Sequence, residues 1–375
     1  VTSVSPVDAT EAGPRIPVRN AWYLLLYAWE LLHVREATHA AVEASPNLLG
    51  LLARVLADEA RALFRRELGR TFATRTGAVR GIRGRVDFAT SLKRLDFEAG
   101  RATCVFPELT VDTLKNRIIK STLTFLARDP RTTAGTKHEN GEVLRDELRT
   151  LVGAMRDVTT IAVTTGTFRQ LALSSSDRRY ALPLAICALV HRLELPSEGA
   201  GDHLVRALLR DEIVFSDLFE RFLRGFFRTH ATQFEVGREK LAWPLDGENA
   251  FMPEMRTDVT LVERSPARRR LVVEAKYSTT TFATGHYGSK KFKSDNLYQL
   301  YAYLRTQEEK GAAHRAAEGL LVYPVSTDEV SEEVVVQGHR IRVAAVHLGK
   351  PWESIHARLI ELATLAPRAA AGTAA

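Results

Sequence analysis

Three residues in the second half of the chain have types and spacing suited to metal-assisted hydrolysis of a phosphodiester. Asp258 lies in MRTDVTLV, and Glu274 and Lys276 lie in VVEAKY, at the end of a short apolar run. An acid and a lysine at the tip of an otherwise buried strand are expensive to place unless something there uses them. Side chains alternate along a strand with period 2, so Glu274 and Lys276 point the same way. Two carboxylates on neighbouring strands can hold Mg²⁺ and leave positions for water and phosphate. A metal so held stabilises developing charge and lowers the pKa of the attacking water. The lysine ammonium can orient that water or neutralise the pentavalent phosphate. Ala275, between the two, is small and offers its main-chain carbonyl as a further oxygen ligand. Glu220, in SDLFERFL, is a candidate further carboxylate for catalysis and metal. Gln299 and Tyr303, in NLYQLYAYL, stand four apart on one helix face and complete the candidate catalytic set. The competing readings are plain: a D…E-x-K spacing recurs by chance, Glu220 suits a surface helix, and Gln299 and Tyr303 suit ordinary packing.

The elements around these residues predict an α+β or α/β domain over 201–365. The order is helix (205–228), strand (234–243), strand (257–262), strand (271–273), helix (296–310) and a short buried strand, GLLVY, closed by Pro324. Only loops separate the first three strands, which predicts a meander in a mixed sheet flanked by helices. Gln337-Gly338-His339 marks a hairpin turn, and 352–365 a closing helix. The loop TTTFATGHYGSKKFKSD contributes Lys290, Lys291 and Lys293 as candidate contacts to a partner or DNA, with His286 and Tyr287 as less specific ones. Arg264, Arg268, Arg269 and Arg270, between Asp258 and Glu274, are candidate phosphate contacts.

The preceding region, 18–200, reads as a separate mixed helical domain, after a flexible leader over 1–17. Trp22, Leu25, Leu26 and Trp29 form one apolar stripe on a first helix. Helices are expected over 46–68, 111–129, 142–155 and 180–194, and PSEGAG at 196–201 is the best linker. Between them, about 71–106 changes period. Gly77, Gly81 and Gly84 alternate with β-prone residues and arginines, which predicts a hairpin or extended finger carrying Arg80, Arg83 and Arg85. From Arg61 to Arg101 there are eleven Lys/Arg against four Asp/Glu, which accounts for the whole net charge of +7. A local basic block points to an anionic surface, on DNA or on a protein partner, although charge runs also serve as solvated faces.

Two distant cysteines, Cys104 and Cys187, argue against a zinc site and suit a reducing compartment. The longest apolar run is shorter than the roughly 20 residues that span a bilayer. We therefore expect a cytoplasmic protein, with a disordered tail over 366–375. No G-x-x-x-x-G-K-[ST] occurs, so no nucleotide is expected to bind through motifs of this chain.

Asp258, Glu274-Ala-Lys276 and the Gln299-x-x-x-Tyr303 helix resemble the PD-(D/E)xK nucleases, in particular their RecB-like branch. Across about 16–325, RNAWYLLLYAWELL, GIRGRVDF, LTVDTLKNRIIKSTLTFL, MRTDVTLV, VVEAKY and LYQLYAYL resemble, in that order, the McrC family. That resemblance implies a DNA endonuclease subunit of a McrBC-like restriction system, dependent on Mg²⁺ with Mn²⁺ able to substitute. It implies a restriction-endonuclease-like domain at 201–365 and an N-terminal region docking on a ring of GTP-hydrolysing AAA+ partners, McrB. Double-stranded DNA carrying methylated cytosines is then the substrate, recognised through the partner. By match, Asp258, Glu274 and Lys276 are the catalytic set. The chain has Glu at the position where many family members have Asp, and both hold metal. The resemblance favours contact of the basic finger with the partner, with stimulation of its GTPase. The alternatives are a stand-alone RecB-like repair nuclease and a non-catalytic regulator of an AAA+ ring.

Overall fold

The computed structural model describes residues 16–192, 212–245, 247, 251–277, 282–284, 290–292, 294–325 and 331–365. Two compact units divide the chain: Leu49–Gly201, and Val1–Leu48 together with Asp202–Ala375. The expected leader, linker and tail lie almost entirely outside the described residues.

The helices used below are α1 (Val18–Ala28), α2 (Leu48–Arg65), α3 (Leu114–Arg128), α4 (His138–Ala154), α5 (Ala181–Arg192), α6 (Glu212–His230), α7 (Ser294–Arg305) and α8 (Trp352–Leu362). The strands are β1 (Thr71–Arg80), β2 (Arg85–Val86), β3 (Arg101–Thr110), β4 (Phe234–Gly237), β5 (Val259–Glu263), β6 (Arg270–Ala275), β7 (Glu318–Val325), β8 (Ser331–Val336) and β9 (His339–His347). The fold is α+β.

The second unit is built on a six-stranded mixed sheet of order β8-β9-β7-β6-β5-β4. β4, β5 and β6 form the expected antiparallel meander. β6 then runs parallel to β7, and β7 parallel to β9. Burial on both faces explains why β6 and β7 read as continuous apolar runs. One face carries Val272, Leu321, Tyr323, Ile341 and Val343, packed on Leu300, Tyr303 and Leu304 of α7. The strand expected over 234–243 is broken after Gly237, and Lys240–Leu241 pairs instead with Met255–Arg256. β7 does not stop at Pro324, as expected, but continues to Val325. Val322 directs its carbonyl to the Lys276 amide, so Pro324, two residues on, faces the edge where β6 has ended. No ladder donor is needed there, and a proline fits.

α1 corrects two expectations. It is buried from Asn20 through Ala28 on every face rather than along one stripe, as a helix inside a core is. It also belongs with the C-terminal sheet unit, not with a domain over 18–200. Asn20 donates to the carbonyls of Leu348 and Lys350, both at 2.8 Å, and Tyr27 meets His230 Nε2 at 2.6 Å. Gly225 of α6 lets the two helices touch, since a Cβ there would come within 2.1 Å of the Tyr27 carbonyl.

In the Leu49–Gly201 unit, α3 packs against α4 and α5, and a three-stranded sheet of order β1-β3-β2 precedes them in sequence. The finger is therefore paired differently from a local hairpin. β1 pairs along its whole length with β3, from Thr71↔Thr110 to Arg80↔Arg101, and β2 adds to the other edge of β3. A short helix, Phe88–Lys93, interrupts the return, capped by Asp87. Gly84 adopts φ +71° with its Cα against β3, where a Cβ would lie 2.4 Å from the Val105 carbonyl. That close approach docks β2 on β3.

Among the described residues, no helix is long and apolar enough to cross a membrane.

Candidate active site

Asp258 sits one residue before β5, and Glu274 is the penultimate residue of β6, whose Val273 is the Cα partner of Val259. The two carboxylates therefore stand side by side at one end of the sheet. Both are buried, Asp258 to 7% exposure and Glu274 to 2%. Asp258 Oδ2 accepts from the Ala275 amide at 2.9 Å, so Ala275 turns its main chain toward Asp258. Lys276 follows the end of β6 and folds back on the face shared with Glu274, donating to Glu274 Oε1 at 2.9 Å. The same ammonium donates to Gln299 Oε1 of α7 at 2.7 Å, and Gln299 Nε2 donates to the Tyr303 hydroxyl at 2.8 Å. Strand period and helix period thus converge: alternation aligns Glu274 with Lys276, and a four-residue step aligns Gln299 with Tyr303.

One atom is left over. Glu274 Oε2 is buried and has no hydrogen-bond partner. An unpartnered buried acceptor costs about 1–3 kcal/mol, more when charged.

The electrostatics follow from crowding of acids in a dry place. Burial pushes the Glu274 carboxyl up to about 7, with the Asp258 charge adding to it and Lys276 opposing. Burial also raises Asp258, against the Ala275 amide and the nearby cations. Glu220, on α6, is pushed up to about 7 by burial and then by Asp258. Burial works against the Lys276 charge, but Glu274 and Asp258 outweigh it and hold the ammonium above its ordinary value. Tyr303 is raised by burial, which keeps its hydroxyl protonated.

Glu220 shares the field of this cluster but lies 3.7 Å from Arg238 Nη2, its ion-pair partner. Among the described residues no three His, Cys, Asp or Glu side chains converge closely enough to hold a metal between them. The carboxylates that stand side by side are thus two, Asp258 and Glu274. Mg²⁺ is held by one or two carboxylates plus waters and substrate oxygens, and the open Glu274 Oε2 gives such an ion a place, so the residues fit that ion. Glu220 fits a role at one remove.

Other expected contacts separate. Arg264 and Arg268 pair with Glu235, Arg269 with Glu263 and Arg270 with Glu239, so none of the four is a free phosphate grip. The basic composition of that turn is balanced by glutamates on adjacent segments, which a local count misses. Lys290 and Lys291 lie in a short strand, Lys290–Phe292, paired with Phe282–Thr284. Lys293, His286 and Tyr287 lie outside the described residues. Arg80, Arg83 and Arg85 are exposed on the finger and form no ion pair with a described residue, and Arg83 lies over the Phe106 ring at 4.2 Å. The finger also exposes Phe72, Ile82, Phe88, Leu92 and Leu95, each at 60% or more. Two functional candidates escaped the sequence reading, Arg224 and Arg238, whose guanidiniums donate to the main chain at Asp258 and Thr257. Arg224 stands four residues after Glu220 on α6, a spacing that carries the signal; nothing local marks Arg238.

Fold and site together define an α+β protein with a buried acid–lysine centre at one end of a mixed sheet. Residues 11–324 match the model of the McrBC 5-methylcytosine restriction system component family. The chain is 33% identical over 356 residues to the type IV methyl-directed restriction enzyme EcoKMcrBC of Escherichia coli (strain K12), covering 93% of this chain and 97% of that protein. It resembles in fold a chain of a solved half-complex from a tetradecameric assembly of Thermococcus gammatolerans McrB AAA+ hexamers with bound McrC. That likeness has a TM-score of 0.50 and 17% identity, over 92% of this chain and 76% of the other. The chain belongs to the McrBC restriction system component family, as a relative of McrC.

Proposed function

We propose that this chain is the Mg²⁺-dependent DNA endonuclease subunit of a McrBC-type restriction assembly, with a PD-(D/E)xK site. The reading rests above all on Glu274, whose one oxygen is held by Lys276 while the other is buried and open beside Asp258. Asp258, Glu274 and the Ala275 carbonyl are the metal-binding groups. When held there, Mg²⁺ would supply charge stabilisation at the scissile phosphate and a lowered pKa for the attacking water, with Mn²⁺ able to substitute. Lys276, steadied by Glu274 and Gln299, meets the negative charge that develops on phosphorus oxygens. Tyr303 holds Gln299 in place. Glu220 supplies negative charge at longer range.

The substrate is double-stranded DNA containing 5-methylcytosine, consistent with the family description. The assembly partner is an AAA+ ring that hydrolyses GTP, and the protein works in the cytoplasm. Docking falls to the Leu49–Gly201 unit. Its finger presents Arg80, Arg83 and Arg85, which form no ion pair with a described residue, together with exposed Phe88, Leu92 and Leu95, the combination of cation and apolar surface that protein interfaces use. Arg80, Arg83 and Arg85 stimulate GTP hydrolysis by that ring.

Cleavage of methylated plasmid by the chain, its partner ring, GTP and Mg²⁺ tests the assignment. Loss of cutting in Asp258→Ala and Lys276→Ala, with folding and partner binding intact, is the expected result; cutting that persists in either variant refutes it. Robust cutting by the chain alone without GTP would instead favour a stand-alone nuclease.

A further inference from the structure

The chain changes partners on either side of Thr257 and Asp258. Met255–Arg256 pairs with Lys240–Leu241, whereas from Val259 onward the chain pairs with β4 and β6. At the change, two arginines take the main-chain carbonyls. Arg238 Nε donates to the Thr257 carbonyl and Arg224 Nη1 to the Asp258 carbonyl, both at 3.2 Å. Thr257 is fully buried and is fixed from the other side as well. Its amide donates to the Glu239 carbonyl at 3.0 Å, and its hydroxyl accepts from the Glu239 amide and meets Thr260 Oγ1, both at 2.9 Å. The Arg238 guanidinium has a second engagement, 3.7 Å from Glu220 Oε2.

One planar fork thus touches both the backbone that sets Asp258 and the helix acid Glu220. An ammonium cannot reproduce that geometry. Keeping two guanidiniums together is also costly: burial, and after it the charge of Arg238, holds Arg224 below its ordinary value. A sheet bend needs donors for its carbonyls, but amides or hydroxyls supply these without like-charge repulsion.

We propose that Arg238, seconded by Arg224, is a positioning residue for the metal site, fixing the Asp258 main chain and the place of Glu220 before a cation arrives. This rests on the metal-site reading above. Groups behind metal ligands change affinity by about 10- to 100-fold when altered. The opposite expectation holds if Arg238 serves only as a nearby positive charge, because removing a cation from an acidic site strengthens binding of another cation.

The test is calorimetric titration of the purified full chain with Mn²⁺, alongside thermal melting, for wild type, Arg238→Lys, Arg238→Gln and Arg224→Lys. Wild type is measured first, with Asp258→Ala as control. If wild type binds no Mn²⁺, or Asp258→Ala binds it equally, the metal-site reading itself fails. Given wild-type binding, Arg238→Lys and Arg238→Gln are expected to weaken it by about tenfold while melting cooperatively. In the assembled cleavage assay they lower kcat more than they raise KM for DNA. Unchanged affinity in Arg238→Lys, or tighter binding in Arg238→Gln, overturns the proposal. If neither Arg238 variant folds, Arg224→Lys decides: weaker Mn²⁺ binding supports the paired positioning role, and unchanged binding overturns it.

Discussion

The acidic centre at the sheet end and the basic finger treat charge in opposite ways. In the centre, carboxylates are buried or half-buried, crowded and largely answered from within: Asp258 by an amide, Glu274 by Lys276, Glu220 by Arg238. In the finger, Arg80, Arg83 and Arg85 stand exposed without an ion pair to any described residue, beside uncovered Phe88, Leu92 and Leu95. The first region is held by its own hydrogen bonds and ion pairs; the second leaves cations and apolar side chains exposed. On the proposed function, the first is the place for chemistry and the second the place for assembly, and each is expected to be damaged without the other.

The largest effect belongs to the centre. Asp258→Ala and Lys276→Ala lower cleavage by about a hundred- to a thousandfold, the range expected when a major source of transition-state charge stabilisation is lost. Partner binding, followed by size-exclusion chromatography, stays intact. The converse break is Arg80→Ala, Arg83→Ala and Arg85→Ala together. Partner GTP hydrolysis then falls by about tenfold or more, toward the roughly 10³–10⁵-fold that a transition-state arginine is worth, while Mn²⁺ binding to the chain is unchanged. Unaltered GTPase and assembly remove the finger from the account.

pH separates the regions next. The Glu274 and Glu220 carboxyls are each pushed up to about 7. Protons compete with the cation below that value, so cleavage at limiting Mg²⁺ drops about tenfold from pH 8 to pH 6. Partner binding through arginines stays flat over that range. The smallest effect is on stability. A carboxyl raised in the folded state favours folding below its unfolded value, near 4.5, and that contribution is lost as pH rises through about 7. Glu220→Gln therefore stabilises the chain at pH 8, by on the order of 1–2 kcal/mol after allowing for its partial exposure, and the gain shrinks toward pH 5. Melting curves at the two pH values check this.

The centre was largely legible in the sequence because its geometry is local. Period 2 places Glu274 beside Lys276, period 3.6 places Gln299 over Tyr303, and the meander brings Asp258 to Glu274. What escaped depends on distant pairing. The preference of β1 for β3 over β2 is a choice among β-prone segments that composition does not rank. α1 read as a one-sided helix because two-sided burial depends on α6 and the loop after β9, some 200 and 330 residues away. Arg264 and Arg268–Arg270 looked free until their glutamates were placed, and Arg238 has no pattern of its own.

The most direct test of the central claim is Mn²⁺ titration of the isolated chain, wild type against Asp258→Ala, followed by cleavage of methylated DNA with the same two preparations plus partner and GTP. Wild type is expected to bind and to cut, and a folded, partner-competent Asp258→Ala to do neither. Metal-dependent cutting by Asp258→Ala at the wild-type rate would contradict it.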